Sequence, residues 1–448
     1  MGIASVKFLL TDLAACAKIK GKSTDWTGDG SMKFKQKMIR RSVLLLCMLL
    51  TFSFACSCAD DKAKEKEQDG TKEEKKSYGE MLQYETELDK NAMPFWRTNI
   101  MYDECVTMID RGDGTITAKM LLTPVKIIEV RDVTLKKTYT EGKDYTWNEG
   151  TNTLSWLEGS EIPYFTENDL AGKDQNGNKI PAWGDTAAGW NESNPWDALG
   201  RGRMGEALFC VSEFYYSKQI AVTYEYQYED WQGSVTEYQG DKLPKTIAKL
   251  EAGDDLVTYI YGDSIFVGCD SSKMYGREPR QDYFFKLMEK VPEEKYDGNI
   301  VLRNPSVGGM DSTWGANNAQ TLVAEKSPDL VLIGFGMNDG GKTGEQVATN
   351  IRSIIDTIRA SNPDCEFIVV TPMVANVNSG YLSTQGQFSV ALEPLSGEGV
   401  AFVDMFTVHS DILKRKDFSA TSGNHINHPN DWLIRVYAMN LIACIMKL

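Results

Sequence analysis

The chain has 448 residues, a length that suggests two or more domains, and 42% of them are hydrophobic, which is enough for a large core. Its formal net charge is −15, and this charge argues against a nucleic acid, itself a polyanion, as a partner. The chain contains three histidines, so few side chains are available to act as a general base near neutral pH.

The N-terminal region resembles a bacterial export signal. Basic residues at 33–41 precede an apolar stretch from Ser42 to Phe54, which has the length of a signal-peptide core and is too short to cross a bilayer. Cys56 and Cys58 follow, each directly after a small residue, as in the lipid attachment site of bacterial lipoproteins. We therefore predict that one of these two cysteines is lipidated, and the sequence leaves open which one.

This signal lies far from the first residue, although a signal peptide should begin the chain. We therefore predict that translation starts at Met32 or Met38, and that residues 1–58 comprise an upstream extension and a lipoprotein signal. Residues 59–77 are rich in Lys, Glu and Asp and predict a solvated linker. The resulting expectation is an exported, lipid-anchored protein at the cell envelope, in the periplasm, on the outer membrane or at the cell surface. An ordinary cleaved signal peptide with incidental cysteines is the alternative.

Short alternating segments separated by turn residues extend over residues 78–245, and this pattern predicts an all-β sandwich that is jelly-roll-like. The residues at 148–152 are typical of a hairpin turn between two such segments. A long irregular stretch within this domain contains Trp183, Trp190 and Trp196. These rings could stack on sugar faces or could pin the loop to the sandwich, and the sequence does not decide between the two.

Strands and helices alternate from residue 250 to residue 448, and this alternation predicts an α/β domain with a parallel sheet covered on both faces. The strand-like runs are Leu256–Tyr261, Ile300–Arg303, Asp329–Ile333, Glu366–Val370 and Val400–Asp404. Isoleucines at i, i+3, i+4 and i+7 within residues 345–360 predict an amphipathic helix. A final helix is expected from Asp431 to Lys447.

Four short motifs follow these strands in order: Gly-Asp-Ser ending at Ser264, a glycine pair at Gly308 and Gly309, Gly-Met-Asn-Asp containing Asn338, and His-Pro-Asn beginning at His428. The ordered set resembles the SGNH (GDSL-type) hydrolase family over residues 250–448. The resemblance implies a three-layer αβα domain with a flavodoxin-like parallel sheet. A jelly-roll-like domain before such a domain is similar to the layout of certain esterases that remove acetyl groups from plant polysaccharides.

Ser264 follows a buried strand, where ligands bind in open α/β sheets, so we expect it to be a nucleophile with His428 as its base. The resemblance implies that the backbone N–H groups of Ser264 and Gly309 and the side-chain amide of Asn338 form the oxyanion hole. Gly308 is the alternative to Gly309, because the two glycines are adjacent.

The motif at the last histidine departs from the family pattern. The family usually has an Asp three residues before the catalytic His, but this chain has His425 there. We therefore expect a Ser-His pair in which a backbone carbonyl, Asp404 or Asp431 orients His428, and we favour the carbonyl. A metal pair formed by His425 and His428 lacks a pattern of further ligands, so we expect neither a metal nor a cofactor.

These observations predict a serine esterase that hydrolyses O-acyl esters, and O-acetyl esters above all, of carbohydrates by a Ser-His mechanism with an oxyanion hole. The expected partner is an acetylated polysaccharide or oligosaccharide. One alternative is a surface glycan-binding lipoprotein with a vestigial hydrolase site. The other is a lysophospholipase or thioesterase, which would need a long apolar groove beside Ser264.

Overall fold

The computed structural model describes residues 75–183 and 197–448. The predicted signal, both candidate lipidated cysteines, Trp190 and Trp196 lie outside the described residues, as does nearly all of the predicted linker. Residues 76–448 form one compact unit, which holds both the β-rich part and the α/β part. No helix in the described ranges combines the length and the apolar character needed to span a membrane.

In its described residues the β-rich part contains ten strands, which are β1 Ile100–Asp110, β2 Ile116–Lys119, β3 Pro124–Asp132, β4 Thr138–Tyr139, β5 Tyr145–Trp147, β6 Thr153–Trp156, β7 Tyr164–Thr166, β8 Gly202–Met204, β9 Ala207–Phe209 and β10 Gln219–Tyr226. The short helices described there are α1 Glu87–Ala92, α2 Glu167–Leu170 and α3 Glu213–Tyr216. Eight strands form one sheet in the order β4-β3-β10-β1-β2-β6-β5, with β7 also paired to β1, and β8 and β9 form a separate hairpin.

Most neighbours in this sheet are antiparallel, and the exception is the parallel pair of β7 and β1. The expected hairpin is present, because β5 and β6 pair across residues 148–152. Side chains of β1 such as Val106 and Met108 are fully buried and contribute to the main hydrophobic core. An antiparallel sheet therefore forms the N-terminal part as expected, and its jelly-roll topology stays a prediction.

The α/β part contains five strands, which are β11 Asp255–Gly262, β12 Asn299–Arg303, β13 Leu330–Gly334, β14 Glu366–Val370 and β15 Val400–Val403. Its helices are α4 Pro244–Ala252, α5 Ser264–Val267, α6 Phe284–Tyr296, α7 Ser312–Leu322, α8 Gly344–Ser361, α9 Phe388–Leu392, α10 Met405–Leu413 and α11 Asp431–Ile445. The strands are all parallel in the order β12-β11-β13-β14-β15, which is the flavodoxin-like order. The parallel sheet is confirmed, and the three-layer arrangement stays a prediction.

Burial explains why these segments form this sheet and these helices. All residues of β13 and β14 are buried, as is typical of central parallel strands with both faces covered. Helix α8 buries Ile351, Ile354, Ile355 and Ile358 on one face, which is the periodicity that the sequence showed.

The ends of β11 and β13 approach each other closely, because Gly262 pairs with Gly334. The ring of Phe266 fills the space in front of Gly334, where an added Cβ would come within 1.9 Å of it. Only glycine fits at this position. Because β11 and β13 are parallel neighbours, the turns that follow them lie at the same edge of the sheet.

Candidate active site

Ser264 lies at the carboxyl end of β11, as the first residue of the short helix α5, and its side chain is buried. Asp263 caps this helix, since its Oδ1 accepts a hydrogen bond of 3.0 Å from the Ile265 N–H. The backbone N–H of a first helical residue has no acceptor within its own helix. The Ser264 N–H is therefore available to a group bound in front of the serine.

His428 points at Ser264. Its Nε2 atom lies 2.7 Å from the Ser264 Oγ atom, which is within reach for proton transfer. The histidine is held in a tight loop, in which the Gly423 N–H and the Ser422 hydroxyl each donate to the His428 carbonyl over 2.9 Å. The structure therefore joins the nucleophile and the base that the motifs suggested.

Asp270 contacts the other nitrogen of the same imidazole. Its Oδ2 atom lies 2.5 Å from His428 Nδ1. Asp270 has a φ of 63°, a left-handed conformation that Asp adopts more readily than most residues. Gly423 packs against it so closely that an added Cβ would come within 2.6 Å of the Asp270 carbonyl oxygen. The arrangement has the geometry of a Ser-His-Asp triad, in which the serine and the aspartate are only six residues apart.

The expectations for the group that orients His428 were wrong, because neither a backbone carbonyl nor Asp404 nor Asp431 occupies that place. Asp404 caps helix α10 and accepts a hydrogen bond of 2.9 Å from the Thr371 hydroxyl. The Oδ1 atom of Asp431 accepts a hydrogen bond of 2.9 Å from the Ser272 N–H. The carboxylate is instead supplied by the loop after Gly-Asp-Ser, where the family pattern gave no reason to look.

Several groups keep Asp270 ionised. Burial by itself would raise its pKa, but the charge of His428 and hydrogen bonds from His428, Tyr275 and Asn424 outweigh burial and hold the pKa of Asp270 below its usual range. The Tyr275 hydroxyl donates to Asp270 Oδ1 over 2.6 Å. A carboxylate that stays negative at neutral pH can fix the ring of His428 and stabilise its protonated form.

His425, which stands where the family has its acid, belongs to the hydrophobic packing. Its ring lies between Tyr215 and Phe418, with centroid distances of 5.8 and 5.6 Å. Burial lowers the pKa of His425 to about 4, so the ring is neutral near pH 7. Within the described residues, no group of three or more His, Cys, Asp or Glu side chains could hold a metal ion.

The candidate oxyanion donors lie at the turns after β12 and β13. Gly308 lies against the nucleophile, since an added Cβ would stand 3.7 Å from Ser264 Cβ. Gly309 follows with a φ of 77°, which favours glycine. The Asn338 side-chain amide donates to the Met310 carbonyl over 3.1 Å, so one of its two N–H groups is engaged and one remains.

A buried carboxylate stands directly before the nucleophile. Asp263 is almost completely buried, and this burial raises its pKa to about 7 although hydrogen bonding from the Ile265 N–H opposes the rise. The Oδ2 atom of Asp263 has no hydrogen-bond partner among the described residues. The protonation state of Asp263 therefore changes within the physiological pH range.

Residues 260–432, which contain the triad, match the family described as GDSL-like Lipase/Acylhydrolase. The match describes this part of the chain as similar to that family. Its borders enclose Ser264, Asp270, Asn338 and His428.

Esterase TesA from Pseudomonas aeruginosa is 33% identical over 98 residues, which are 21% of this chain and 48% of TesA. The chain thus spans about half the length of this curated relative. A two-domain esterase active on acetylated mannans is 20% identical with a TM-score of 0.38, and the match covers 46% of this chain and 53% of that one. An acetyl xylan esterase from Geobacillus stearothermophilus is 17% identical with a TM-score of 0.34, and the match covers 43% and 97%.

Proposed function

We propose that the protein is a serine esterase. The observation that carries this proposal is the unbroken line of contacts from Ser264 Oγ to His428 Nε2 over 2.7 Å and from His428 Nδ1 to Asp270 over 2.5 Å. A hydroxyl is a weak nucleophile on its own, and an adjacent base that is itself oriented by a third group activates it. The similarity of residues 260–432 to the acylhydrolase family supports the same chemistry.

In the proposed reaction, Ser264 Oγ attacks the ester carbonyl while His428 Nε2 accepts the hydroxyl proton. The negative charge on the former carbonyl oxygen is stabilised by the N–H groups of Ser264 and Gly309 and the amide of Asn338. His428 returns the proton to the leaving alcohol, and the acyl group stays on Ser264. Water then attacks the acyl carbon while His428 accepts its proton, the bond to Ser264 Oγ breaks to release the acid, and His428 returns the proton to Ser264. Asp270 remains ionised throughout.

We propose further that the substrates are O-acetyl esters of carbohydrates. A polar side chain lies beside the triad: Asn424 Nδ2 donates to Asn427 Oδ1 over 3.0 Å and lies 3.1 Å from His428 Nδ1. Tyr275, bound to Asp270, is 42% exposed and presents a rigid aromatic ring beside the site. The guanidinium of Arg277 lies 4.7 Å from the centre of this ring and holds it in place. A flat ring with polar neighbours suits a sugar better than an acyl chain.

The test is turnover of p-nitrophenyl acetate, butyrate and octanoate and of acetylated xylan by the purified protein and by Ser264→Ala. Ser410→Ala is the control, because it removes a hydroxyl that only donates to a backbone carbonyl in helix α10. We expect release of acetate by the wild type and by Ser410→Ala, and its loss in Ser264→Ala. Equal activity in all three proteins would remove Ser264 from the mechanism. Preference for octanoate would indicate a lysophospholipase or thioesterase, and sugar binding without turnover would indicate the glycan-binding alternative.

The location at the cell envelope is also a proposal, and the sequence of residues 33–58 supports it. Cells that express the full chain would be labelled with a palmitate analogue. We expect the label to be lost in either Cys56→Ser or Cys58→Ser, and that variant identifies the lipidated residue. Absence of label in the wild type would contradict lipid anchoring and would favour an ordinary signal peptide.

A further inference from the structure

His428 is carried by a short loop with two adjacent arms, which we call the His428 loop and define as residues 421–430. Ser422 and Pro429 form an antiparallel bridge between the arms. The Asn430 N–H donates to the Thr421 carbonyl over 3.1 Å and closes the base of the loop. The position of the imidazole therefore depends on how the two arms are held.

Gln219 contacts both arms of the His428 loop, although it belongs to the β-rich part. It is the first residue of β10 and is only 4% exposed. Its Nε2 atom donates to the Ser422 carbonyl over 3.0 Å, and its Oε1 atom accepts from Asn430 Nδ2 over 3.4 Å. One amide thus uses its donor on one arm and its acceptor on the other.

Gln219 is itself held in a rigid place. Strand β10 pairs with β1 here, with Thr107 opposite Gln219. The Thr107 and Ser419 hydroxyls lie 2.6 Å apart, so β1 also holds the chain that leads into the loop. Slightly earlier, the fully buried Lys416 forms an ion pair with the fully buried Glu104 of β1. The β-rich sheet therefore acts as a fixed platform under the His428 loop.

We propose that Gln219 is a positioning residue for the base of the active site, and that the β-rich part is in this way a component of the catalytic machinery. The inference rests on the proposed esterase function. Without the amide, the two arms lose their shared partner, and the ring of His428 is displaced. A misplacement of about 1 Å can reduce the rate of an enzyme by about 10²-fold. We expect the loss of this amide to lower kcat and to leave KM nearly unchanged, because Gln219 is buried beneath the loop and does not reach the substrate.

The test compares Gln219→Met, which removes both hydrogen bonds to the His428 loop at similar volume, with Thr223→Val on the same strand. Thr223 is also 4% exposed, and its hydroxyl contacts Asp103 at a distance from the His428 loop. We expect both variants to lose similar thermal stability. Only Gln219→Met should lose kcat on p-nitrophenyl acetate, by about 10- to 100-fold, with KM nearly unchanged. Should Gln219→Met not fold, Gln219→Asn replaces it, because its amide is one methylene too short to reach both arms.

A second readout does not depend on turnover. The chain has three histidines, so the Cε1–H signals of their rings can be resolved by NMR. We expect the His428 signal to shift or broaden in Gln219→Met and to stay at its wild-type position in Thr223→Val. An unchanged kcat together with an unmoved His428 signal would overturn the positioning role. If the wild type hydrolyses no ester, the proposed function fails, and the His428 signal alone then decides whether Gln219 positions the ring.

Discussion

The carboxylate of Asp270 lies 2.5 Å from the imidazole of His428, although 158 residues separate them along the chain. Asp270 and Ser264 come from the same turn after β11, whereas His428 comes from the loop before the last helix. The His428 ring therefore lies between the Ser264 hydroxyl and the Asp270 carboxylate, and local structure fixes these two groups relative to each other.

Replacing Asp270 by Asn should abolish most of the activity. The amide keeps the size of the carboxylate but carries no charge and favours the wrong tautomer of His428, and such a change lowers kcat by about 10⁴-fold in serine hydrolases. Steady-state kinetics on p-nitrophenyl acetate measures the loss. Asp404→Asn is the matched control, since Asn also caps helices well and Asp404 does not touch His428. Equal kinetics in the two variants would contradict the role of Asp270.

Tyr275→Phe should make the protein more sensitive to acid. The pKa of Asp270 is lower in the folded state than in the unfolded chain, so its carboxylate adds stability that is present above the unfolded pKa of about 3.9 and is lost as the pH falls through the folded pKa. The Tyr275 hydroxyl contributes to this lowering, and its removal raises the folded pKa. Acid titration followed by circular dichroism should show unfolding at higher pH than in the wild type. Tyr228→Phe, whose hydroxyl donates to the exposed Gly79 carbonyl over 2.7 Å, should not show this shift.

Asp263→Asn should change how stability depends on pH. Burial raises the pKa of Asp263 to about 7, so the folded state binds a proton more tightly than the unfolded state between about pH 4 and pH 7. The contribution of Asp263 to the free energy of unfolding of the wild type therefore falls as the pH rises across that window. It stays low at pH values above the window. The neutral Asn removes this loss and should be more stable than the wild type at pH 8 by about 2 to 4 kcal/mol. Urea unfolding at pH 5 and pH 8 measures the difference, and parallel pH dependence in both proteins would contradict it.

Asn338→Ala should slow the reaction without disturbing the fold. It removes one donor to the oxyanion, and the loss of one such donor raises the barrier by about 3 to 4 kcal/mol, or about 10²- to 10³-fold in kcat. Asn318→Ala is the control, because that amide also donates to a backbone carbonyl but lies in helix α7. If both variants keep wild-type kcat, Asn338 does not stabilise the oxyanion.

Gly309→Ala tests whether the backbone N–H of Gly309 is an oxyanion donor. A Cβ added at Gly309 meets no atom within 4 Å, so the substitution brings no clash. Its φ of 77° disfavours any side chain by about 1 kcal/mol, and the turn should relax and turn the N–H away. We expect lower kcat with little change in the free energy of unfolding. A larger loss of kcat in Gly308→Ala than in Gly309→Ala would assign the donor to Gly308 instead.

Local patterns predicted the elements that local forces determine. The hairpin around residues 148–152 and the isoleucine face of helix α8 follow from turn residues and periodicity. Ser264 and His428 could be found because each stands in a short motif at a strand or helix end. No local pattern in the sequence predicted the parallel pairing of β7 with β1, since this pairing joins segments through long-range contacts.

The acid of the triad could not be predicted for a similar reason. Asp270 reaches His428 because it adopts a left-handed conformation and because Gly423 lets the two loops pack closely. Neither condition is visible in the spacing of the motifs. Nor does any sequence pattern link Gln219 to the His428 loop, since that contact spans 203 residues between Gln219 and Ser422.

Covalent labelling of Ser264 tests the central claim most directly. The purified protein would be incubated with a fluorophosphonate, which reacts with activated serines, and the modified peptide would be identified by mass spectrometry. We expect one label per chain, on Ser264, with a labelling rate that falls by about 10³-fold or more in His428→Ala. A label on another residue, or equal labelling of Ser264 in both proteins, would contradict the account.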